Sequence, residues 1–463
     1  MQKKRISKKL RNCLPASLLS MLMLFSCAEG SASLKDNNTN KDKDTQTITR
    51  VDFDEVIKNV NIGFEENYND SVLVSSAVSN AKVLNQEVTV IIEMDGNTTL
   101  DTYLSNKEFK SFPDFYGSKQ AIKQENDLVD SQINLATKLF KAGLIDEIGG
   151  NYSTLMNGFY AKTTYKRVEE IRNFENVKCA YVSTIYNKPQ GVVSNDTNVY
   201  EETGIYKNDT QYDGSNTIVA VLDSGFDYTH EVFNMEIARP AKTKEDISKI
   251  LENTVAYEMA QGDLTIDDVY LSSKVPFAYD YADKKADVFP IESDHGTHVS
   301  GIIGGLSDKI IGIAPNTQFA WMKVFNDDDG GGDSADIICA LEDAVTIGVD
   351  AINLSLGAIG GYSEEVIPEG EVNSLEERTN KVYEQIEEIG ISLLTAAGNE
   401  YSSGYQSDTG TNVTGNPESG TISSPGSYPA SLTVASINGN LDPYAVVNKE
   451  EDSAVFFKNA FDA

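Results

Sequence analysis

Predominantly apolar runs of six or seven residues alternate with helical patterns in the second half of the chain. The runs are Thr217–Leu222, Phe319–Phe325, Ala351–Leu356 and Ile391–Ala396. Such runs are typical of parallel strands buried on both faces. Apolar residues recur at helical spacing between them, in Ser334–Ile347 and Ser374–Ile389. The alternation predicts an α/β domain with a parallel sheet over residues 200–463.

A different pattern precedes this region and predicts a smaller domain over residues 81–190. A strand is expected at Glu87–Met94, an amphipathic helix at 121–145, a hairpin of Tyr152–Met156 and Gly158–Ala161 around Asn157-Gly158, a helix at Tyr165–Phe174 and a strand at Val177–Thr184. The order β-α-β-β-α-β predicts an α+β fold of the split-βαβ type.

The N-terminus has the pattern of an export signal. Six Lys and Arg residues within positions 1–11 precede an apolar run from Leu14 to Phe25. Cys27, between Ser26 and Ala28, resembles the cysteine of a bacterial lipobox. Residues 1–27 are therefore interpreted as a lipoprotein-type signal peptide, with Cys27 lipidated and anchored to the outer face of a membrane. Plain secretion is the alternative. Residues 28–80 are interpreted as a polar, flexible tether and lead-in.

Charge and cysteine content exclude several classes of function. The formal net charge of −33 would repel nucleic acid and fits a soluble extracellular protein. The four cysteines show neither a disulfide framework nor zinc-ligand spacing. We therefore expect no cofactor.

Polar residues that could carry chemistry follow the predicted strands. Asp223 follows the first run in Asp-Ser-Gly, His295 opens the segment HGTHVSG, and Asn399 ends the segment AAGN. Ligands of parallel sheets bind at the carboxyl ends of strands, where Asp223 and Asn399 lie. Each residue also has an ordinary interpretation: Asp223 and Asn399 as turn residues, and His295 with His298 as metal ligands one helical turn apart.

Together and in this order, the three segments resemble the subtilisin-like serine peptidases, or subtilases. Lys274–Tyr281 resembles the lactocepin-like cell-envelope members. The resemblance implies that Asp223 orients the imidazole of His295, that His295 is the general base, and that Asn399 donates to the oxyanion. It also implies polypeptide substrates. The small domain before it would be an inhibitor-type propeptide, acting as intramolecular chaperone and inhibitor; an unrelated accessory domain is the alternative.

The resemblance further implies two segments that flank the substrate cleft. They are Gly330, Gly331 and Gly332, and Ser355, Leu356 and Gly357. In the family such segments pair with an extended substrate. The glycines also fit a flexible loop. The neighbouring Asp327–Asp329 suggests either a structural calcium site or, as we prefer, a solvated acidic turn.

The family's nucleophile motif, Gly-Thr-Ser-x-Ala, has no match between Asn399 and residue 463. We therefore interpret the sequence as the front part of a serine endopeptidase precursor, and we expect residues 1–463 alone to be inactive. A non-catalytic peptide-binding surface lipoprotein and a decayed remnant are the alternatives.

Overall fold

The structure is a computed structural model. It describes residues 84–106, 108–187, 212–291, 293–308, 310–328, 330–358, 375–399 and 422–435, together with the backbone of four short strands nearer the C-terminus. The predicted signal peptide, Cys27 and the tether lie outside the described residues. Among the described residues, no helix is long and apolar enough to cross a membrane.

The N-terminal unit is a four-stranded antiparallel sheet covered by helices. Its strands are β1 (Glu87–Glu93), β2 (Glu147–Tyr152), β3 (Gly158–Thr164) and β4 (Cys179–Val182), in the order β2-β3-β1-β4. Its helices are α1 (Thr99–Ser105), α2 (Phe112–Tyr116), α3 (Lys119–Lys141) and α4 (Val168–Arg172), with a 3-10 turn at Tyr165–Arg167. Apolar residues of β1, β3, α3 and α4 form its core.

The predicted order of elements is confirmed in this unit, with two differences. The hairpin exists, but its first strand is β2; residues 153–156 belong to the connecting loop, so the predicted strand Tyr152–Met156 is wrong. Helices α1 and α2 were not predicted. Both begin with side-chain caps, Thr98 with Asp101 and Ser111 with Asp114, which the sequence already contains.

The second unit is built on a parallel sheet, as predicted, and the sheet has six strands. The strands are β6 (Ile218–Asp223), β7 (Phe277–Asp280), β8 (Gln318–Lys323), β10 (Ala351–Leu354), β11 (Ser392–Ala396) and β14 (Leu432–Val434). Their order is β14-β11-β10-β6-β8-β7. Three two-stranded sheets add β5 (Ile185–Asn187) with β9 (Gly331–Asp333), β12 (Tyr405–Gln406) with β13 (Thr411–Asn412), and β15 (Tyr444–Asn448) with β16 (Ser453–Phe456).

Helices flank the parallel sheet. They are α5 (Lys244–Ile250), α6 (Val255–Met259), α7 (Ile266–Val269), α8 (His295–Gly304), α9 (Ser334–Ile347) and α10 (Leu375–Glu388), with 3-10 turns at Glu231–Phe233 and Leu251–Asn253. All of α9 is buried. A single apolar core joins this unit to the N-terminal unit.

Candidate active site

Asp223 and His295 form a hydrogen-bonded pair at the carboxyl end of β6. The Nδ1 atom of His295 lies 2.8 Å from Oδ1 and 3.0 Å from Oδ2 of Asp223. The Asp223 side chain is fully buried, whereas 15% of the His295 side chain is exposed. Because Nδ1 faces the carboxylate, Nε2 is the ring nitrogen left to act on another group.

A glycine allows α8 to approach β6 closely enough for this contact. A Cβ atom added at Gly296 would lie 2.5 Å from the carbonyl oxygen of Gly225 and 2.9 Å from Cβ of Asp223. The carboxylate is also fixed from the chain side, because the Ser224 N–H donates to Oδ1 at 2.6 Å. The pair is therefore held by backbone packing as well as by its own hydrogen bond.

The surroundings raise the pKa of His295 above its ordinary value of 6.5. Burial acts against the charged imidazolium, but the hydrogen bond and the charge of Asp223, with the charge of Asp294, outweigh it. The geometry therefore stabilises a proton on the imidazole, as a general base requires after it has accepted one.

The other predicted strand-end residues lie along the same edge of the sheet. Strands β6, β10 and β11 are parallel neighbours, so the residues that follow them emerge on one side. Ser355, Leu356 and Gly357 follow β10, and Leu356 is buried. Asn399 follows β11 and is exposed. Ala358 and Ser424 exchange backbone hydrogen bonds beside them, at 2.8 and 2.9 Å.

Another part of the chain pairs with the glycine segment Gly330–Gly332. Strand β9 pairs antiparallel with β5, with Tyr186 opposite Gly332 and Asn187 opposite Gly331. An added Cβ at Gly332 would lie 2.8 Å from the ring of Phe325, so the segment has no room for a side chain there. The family resemblance implies that an extended substrate pairs with this segment, which stays a prediction; in the structure β5, which follows the N-terminal unit, pairs with it.

The side chain of Tyr186 enters the second unit beside this pairing. Tyr186 is 7% exposed. Burial, together with the charge of Glu376, raises its pKa to about 12. Tyr383 and Tyr428, whose rings stack edge to face at 5.2 Å, belong to the same apolar core as Tyr186. Tyr186 is therefore part of the core that joins the two units.

The acidic residues near the predicted calcium site surround lysines. Lys323 Nζ lies 2.9 Å from Asp280, 2.9 Å from Asp283 and 3.1 Å from Asp327, and Lys285 contacts the same three residues. Their carboxylates are close enough together to hold a metal ion. Two ammonium groups lie among these three carboxylates, so an ion would have to compete with the lysines for them. The calcium site and the preferred solvated acidic turn both stay predictions, and Asp329 lies outside the described residues.

Three further carboxylates, which the sequence analysis missed, bind the two units together. Glu342 of α9 accepts four consecutive backbone N–H groups of Ser153–Met156, at 2.6 to 3.2 Å. Asp336 accepts the Tyr160 hydroxyl at 2.8 Å, and Arg378 of α10 donates to Glu93 at 3.2 Å. Charged residues are mostly exposed in proteins, so the sequence does not show that these carboxylates are buried between the two units.

The other two histidines of the chain are His230 and His298. His230 accepts the Val232 N–H at 3.3 Å and so caps the 3-10 turn at Glu231–Phe233. His298 is half-buried on α8. Neither belongs to the group of described residues whose ligand atoms could share a metal ion.

Comparisons with known proteins agree with this architecture. The profile of the subtilase family matches residues 214–457. The PIII-type proteinase of Lactococcus lactis subsp. cremoris (strain SK11) is 28% identical over 338 residues, which are 69% of this chain and 16% of that protein. The C5a peptidase of Streptococcus pyogenes serotype M18 (strain MGAS8232) is 30% identical over 234 residues, 48% of this chain and 18% of that protein.

A solved structure also resembles the chain. The epidermin leader peptide processing serine protease EpiP of Staphylococcus aureus aligns over 68% of this chain and 61% of its own, with 17% identity and a TM-score of 0.40. The chain thus spans less than a fifth of the length of the two curated relatives, at 16% and 18%.

Proposed function

This chain belongs to the subtilase family, and we propose that it is the front part of an exported serine endopeptidase precursor. The observation that carries the proposal is the contact of 2.8 Å between His295 Nδ1 and Asp223 Oδ1 at the carboxyl end of the parallel sheet. An orienting carboxylate on Nδ1 leaves Nε2 free for proton transfer, which is the arrangement that activates a serine hydroxyl.

In the proposed reaction, a serine hydroxyl attacks the carbonyl carbon of the scissile peptide bond. His295 Nε2 takes the hydroxyl proton and returns it to the leaving amine as the carbon–nitrogen bond breaks. Water then hydrolyses the acyl-enzyme with the same base. Asp223 holds the tautomer and stabilises the imidazolium, and the side-chain amide of Asn399 donates to the oxyanion. In this account the serine lies outside residues 1–463.

We propose further that the N-terminal unit is the inhibitory propeptide. Support comes from β5, which pairs with Gly331–Asp333 where an extended substrate would pair, and from the burial of the Tyr186 side chain beside this pairing. The substrate would then be a polypeptide in extended conformation. An apolar side chain of the substrate, preferably aromatic, would take the place of the Tyr186 side chain.

Location is proposed from the N-terminal sequence. The signal pattern before Cys27 would export the protein, and lipid on Cys27 would hold it at the cell surface. Metabolic labelling with a fatty acid tests this step. We expect label on the wild-type protein and none on Cys27→Ala.

Activity is tested on the natural gene product, purified with and without His295→Ala. We expect it to hydrolyse a denatured protein, with loss of about 10³-fold or more in the variant. Recombinant residues 1–463 should show no turnover. His298→Ala serves as a matched control, because it changes a histidine of the same helix that does not contact Asp223.

Two outcomes would contradict the proposal. One is hydrolysis that His295→Ala leaves unchanged. The other is no hydrolysis by the natural product, with saturable binding of peptides measured by calorimetry, which would favour the non-catalytic binding protein.

A further inference from the structure

We propose that three exposed side chains beside the Asp223–His295 pair form a further contact surface for the polypeptide substrate, which receives a lysine or arginine side chain of that substrate. The three residues are Tyr228, Phe289 and Ile291, called the apolar patch below. The proposal deepens the proposed function and rests on it, because the occupant of the patch is the polypeptide that the site would cut.

The apolar patch is exposed, although other apolar residues of the same loops are buried. Tyr228 is 43% exposed, Phe289 39% and Ile291 66%, whereas Phe226 and Val288 belong to the core. The rings of Tyr228 and Phe289 contact each other edge to face, with their centroids 5.6 Å apart. Single exposed apolar residues are common, but contiguous ones mark interaction sites. The described residues of the N-terminal unit leave the patch open.

The patch adjoins the Asp223–His295 pair through both of its loops. Tyr228 lies in the loop that follows Asp223, and Phe289 lies in the loop that precedes His295. The hydroxyl group of Thr297, in α8, accepts the backbone N–H group of the residue before Tyr228 at 2.8 Å. The first loop is therefore attached to the helix that begins with the histidine of the pair. A polypeptide bound at the pair would meet this surface next to it.

The backbones of the two loops are joined, so the patch is formed before a ligand binds. The Phe226 N–H group donates to the carbonyl oxygen of Val288 at 2.8 Å. A Cβ atom added at Gly225 would lie 2.9 Å from the Cα atom of Pro290, so the loops touch at a position that has no room for a side chain. A surface organised in this way loses little conformational entropy when it binds.

The charge of the two loops indicates what kind of ligand the patch receives. The loops, residues 224–231 and 286–294, contain neither lysine nor arginine. Their acidic residues are Asp227, Glu231, Asp287, Glu292 and Asp294. The lysines before the second loop are directed elsewhere: Lys284 lies over the Tyr160 ring, and Lys285 lies among three aspartates. A basic segment of polypeptide would therefore complement the charge at the patch.

A lysine or arginine side chain fits both the rings and the charge. Its charged group would lie against the exposed ring of Tyr228 or Phe289, because the face of an aromatic ring attracts a cation. Asp287 lies at the edge of the patch, where the Tyr228 hydroxyl donates to its Oδ1 atom at 3.5 Å, and its charge would add to the attraction. Ile291 offers an apolar contact for the methylene groups of the same side chain.

The proposal is tested with peptides in which one arginine moves along an otherwise uncharged sequence. Each peptide has a partner with citrulline, which has nearly the shape of arginine but no charge. Fluorescence anisotropy measures their binding to the natural gene product, treated with a small fluorophosphonate to stop any turnover. At one position or two adjacent positions, we expect arginine to bind roughly three- to tenfold more tightly than citrulline, with a smaller difference at high salt.

Variants connect this preference to the patch. The double variant Tyr228→Ala and Phe289→Ala should reduce the preference to below about twofold. Asp287→Asn, which keeps the oxygen that accepts the Phe289 N–H group, should reduce it in part. Tyr212→Ala is the matched control and should keep the full preference, because Tyr212 is 89% exposed but precedes β6 instead of following it. Thermal unfolding verifies that each variant folds, and a merely structural effect would weaken both members of a peptide pair alike.

Three outcomes would overturn the proposal. They are equal binding of arginine and citrulline at every position, an undiminished preference in the double variant, and a wild-type dimer that the double variant converts to a monomer, which would show that a second copy covers the patch. A protein that hydrolyses peptides without the preference rejects the patch alone. A protein that shows the preference but never hydrolyses a peptide rejects the proposed function alone.

Discussion

The N-terminal unit contacts the second unit, which is built on the parallel sheet, at two places that differ in their chemistry. At one place, strands β5 and β9 pair over three residues each, mainly through the backbone, with two glycines on β9. The other place, called the helical face below, is formed by α9 and α10, where Glu342, Asp336 and Arg378 are buried charged side chains and an apolar core is shared. Backbone pairing accepts many sequences, whereas side-chain packing accepts few. The strand pairing therefore depends little on the side chains that take part in it, whereas the helical face depends on specific side chains.

The largest expected effect separates the catalytic role of Asp223 from the binding of the N-terminal unit to the second unit. Asp223→Asn should lower kcat of the natural gene product by about 10⁴-fold, because the amide favours the wrong tautomer of His295. Since Asp223 touches neither contact region, the N-terminal unit should remain bound as in the wild type. Peptide hydrolysis and size-exclusion chromatography measure the two properties. Loss of both together would show that Asp223 mainly supports the fold.

The next effect concerns the pH dependence of the helical face. Burial first, and the charge of Asp333 next, raise the pKa of Asp336 to about 8, and burial raises that of Glu342 to about 7 against the pull of the four N–H groups. The Tyr160 hydroxyl, Lys284 and Lys162 act in the opposite direction on Asp336. Both groups hold protons more tightly in the docked state than in water, so docking should weaken as pH rises from about 5 to 8.

The dependence of the free energy of unfolding on pH is measured by thermal unfolding of the full chain between about pH 5 and 8. The slope of this dependence is the quantity compared between variants. Each released proton contributes up to about 1.4 kcal/mol per pH unit. The double variant Asp336→Asn and Glu342→Gln should flatten the slope. Asp127→Asn, on an exposed part of α3, should leave it unchanged. An equal slope in wild type and double variant would refute the assignment of these two groups.

The smallest effect is expected on substrate binding at Gly332 of β9. Gly332→Ala would place a methyl group against the Phe325 ring and displace β9, so KM for a peptide substrate should rise roughly three- to tenfold with little change in kcat. Gly301→Ala on α8 is the control, because an added Cβ there meets nothing within 4 Å. A loss of kcat without a change in KM would show that the segment acts in the catalytic step rather than in substrate binding.

The sequence predicted best what local patterns determine. Apolar runs located four of the six parallel strands, β6, β8, β10 and β11, to within a few residues. Asp223 and His295 were found because their segments, in this order, resemble those of the subtilases. Whether their catalytic roles hold stays a prediction. The loop Ser153–Met156 was mistaken for a strand, because its backbone N–H groups donate to Glu342 of the second unit rather than to a hairpin partner.

Other features could not be predicted because they depend on contacts between distant segments. Glu342 and Asp336 are charged residues on a helix that is buried along its whole length. They are buried because the N-terminal unit covers α9, and no local sequence pattern predicts this burial. Helices α1 and α2 were different, since their caps at Thr98 and Ser111 were visible in the sequence.

The central claim, that His295 activates a serine nucleophile, is tested most directly by the rate at which a fluorophosphonate labels the natural gene product at different pH values. The imidazole must be neutral to accept the proton, so labelling should fall as pH decreases through a pKa above 6.5. It should be lost in His295→Ala and retained in His298→Ala. A labelling rate that is flat from pH 5.5 to 8, or that His295→Ala leaves unchanged, would contradict the account.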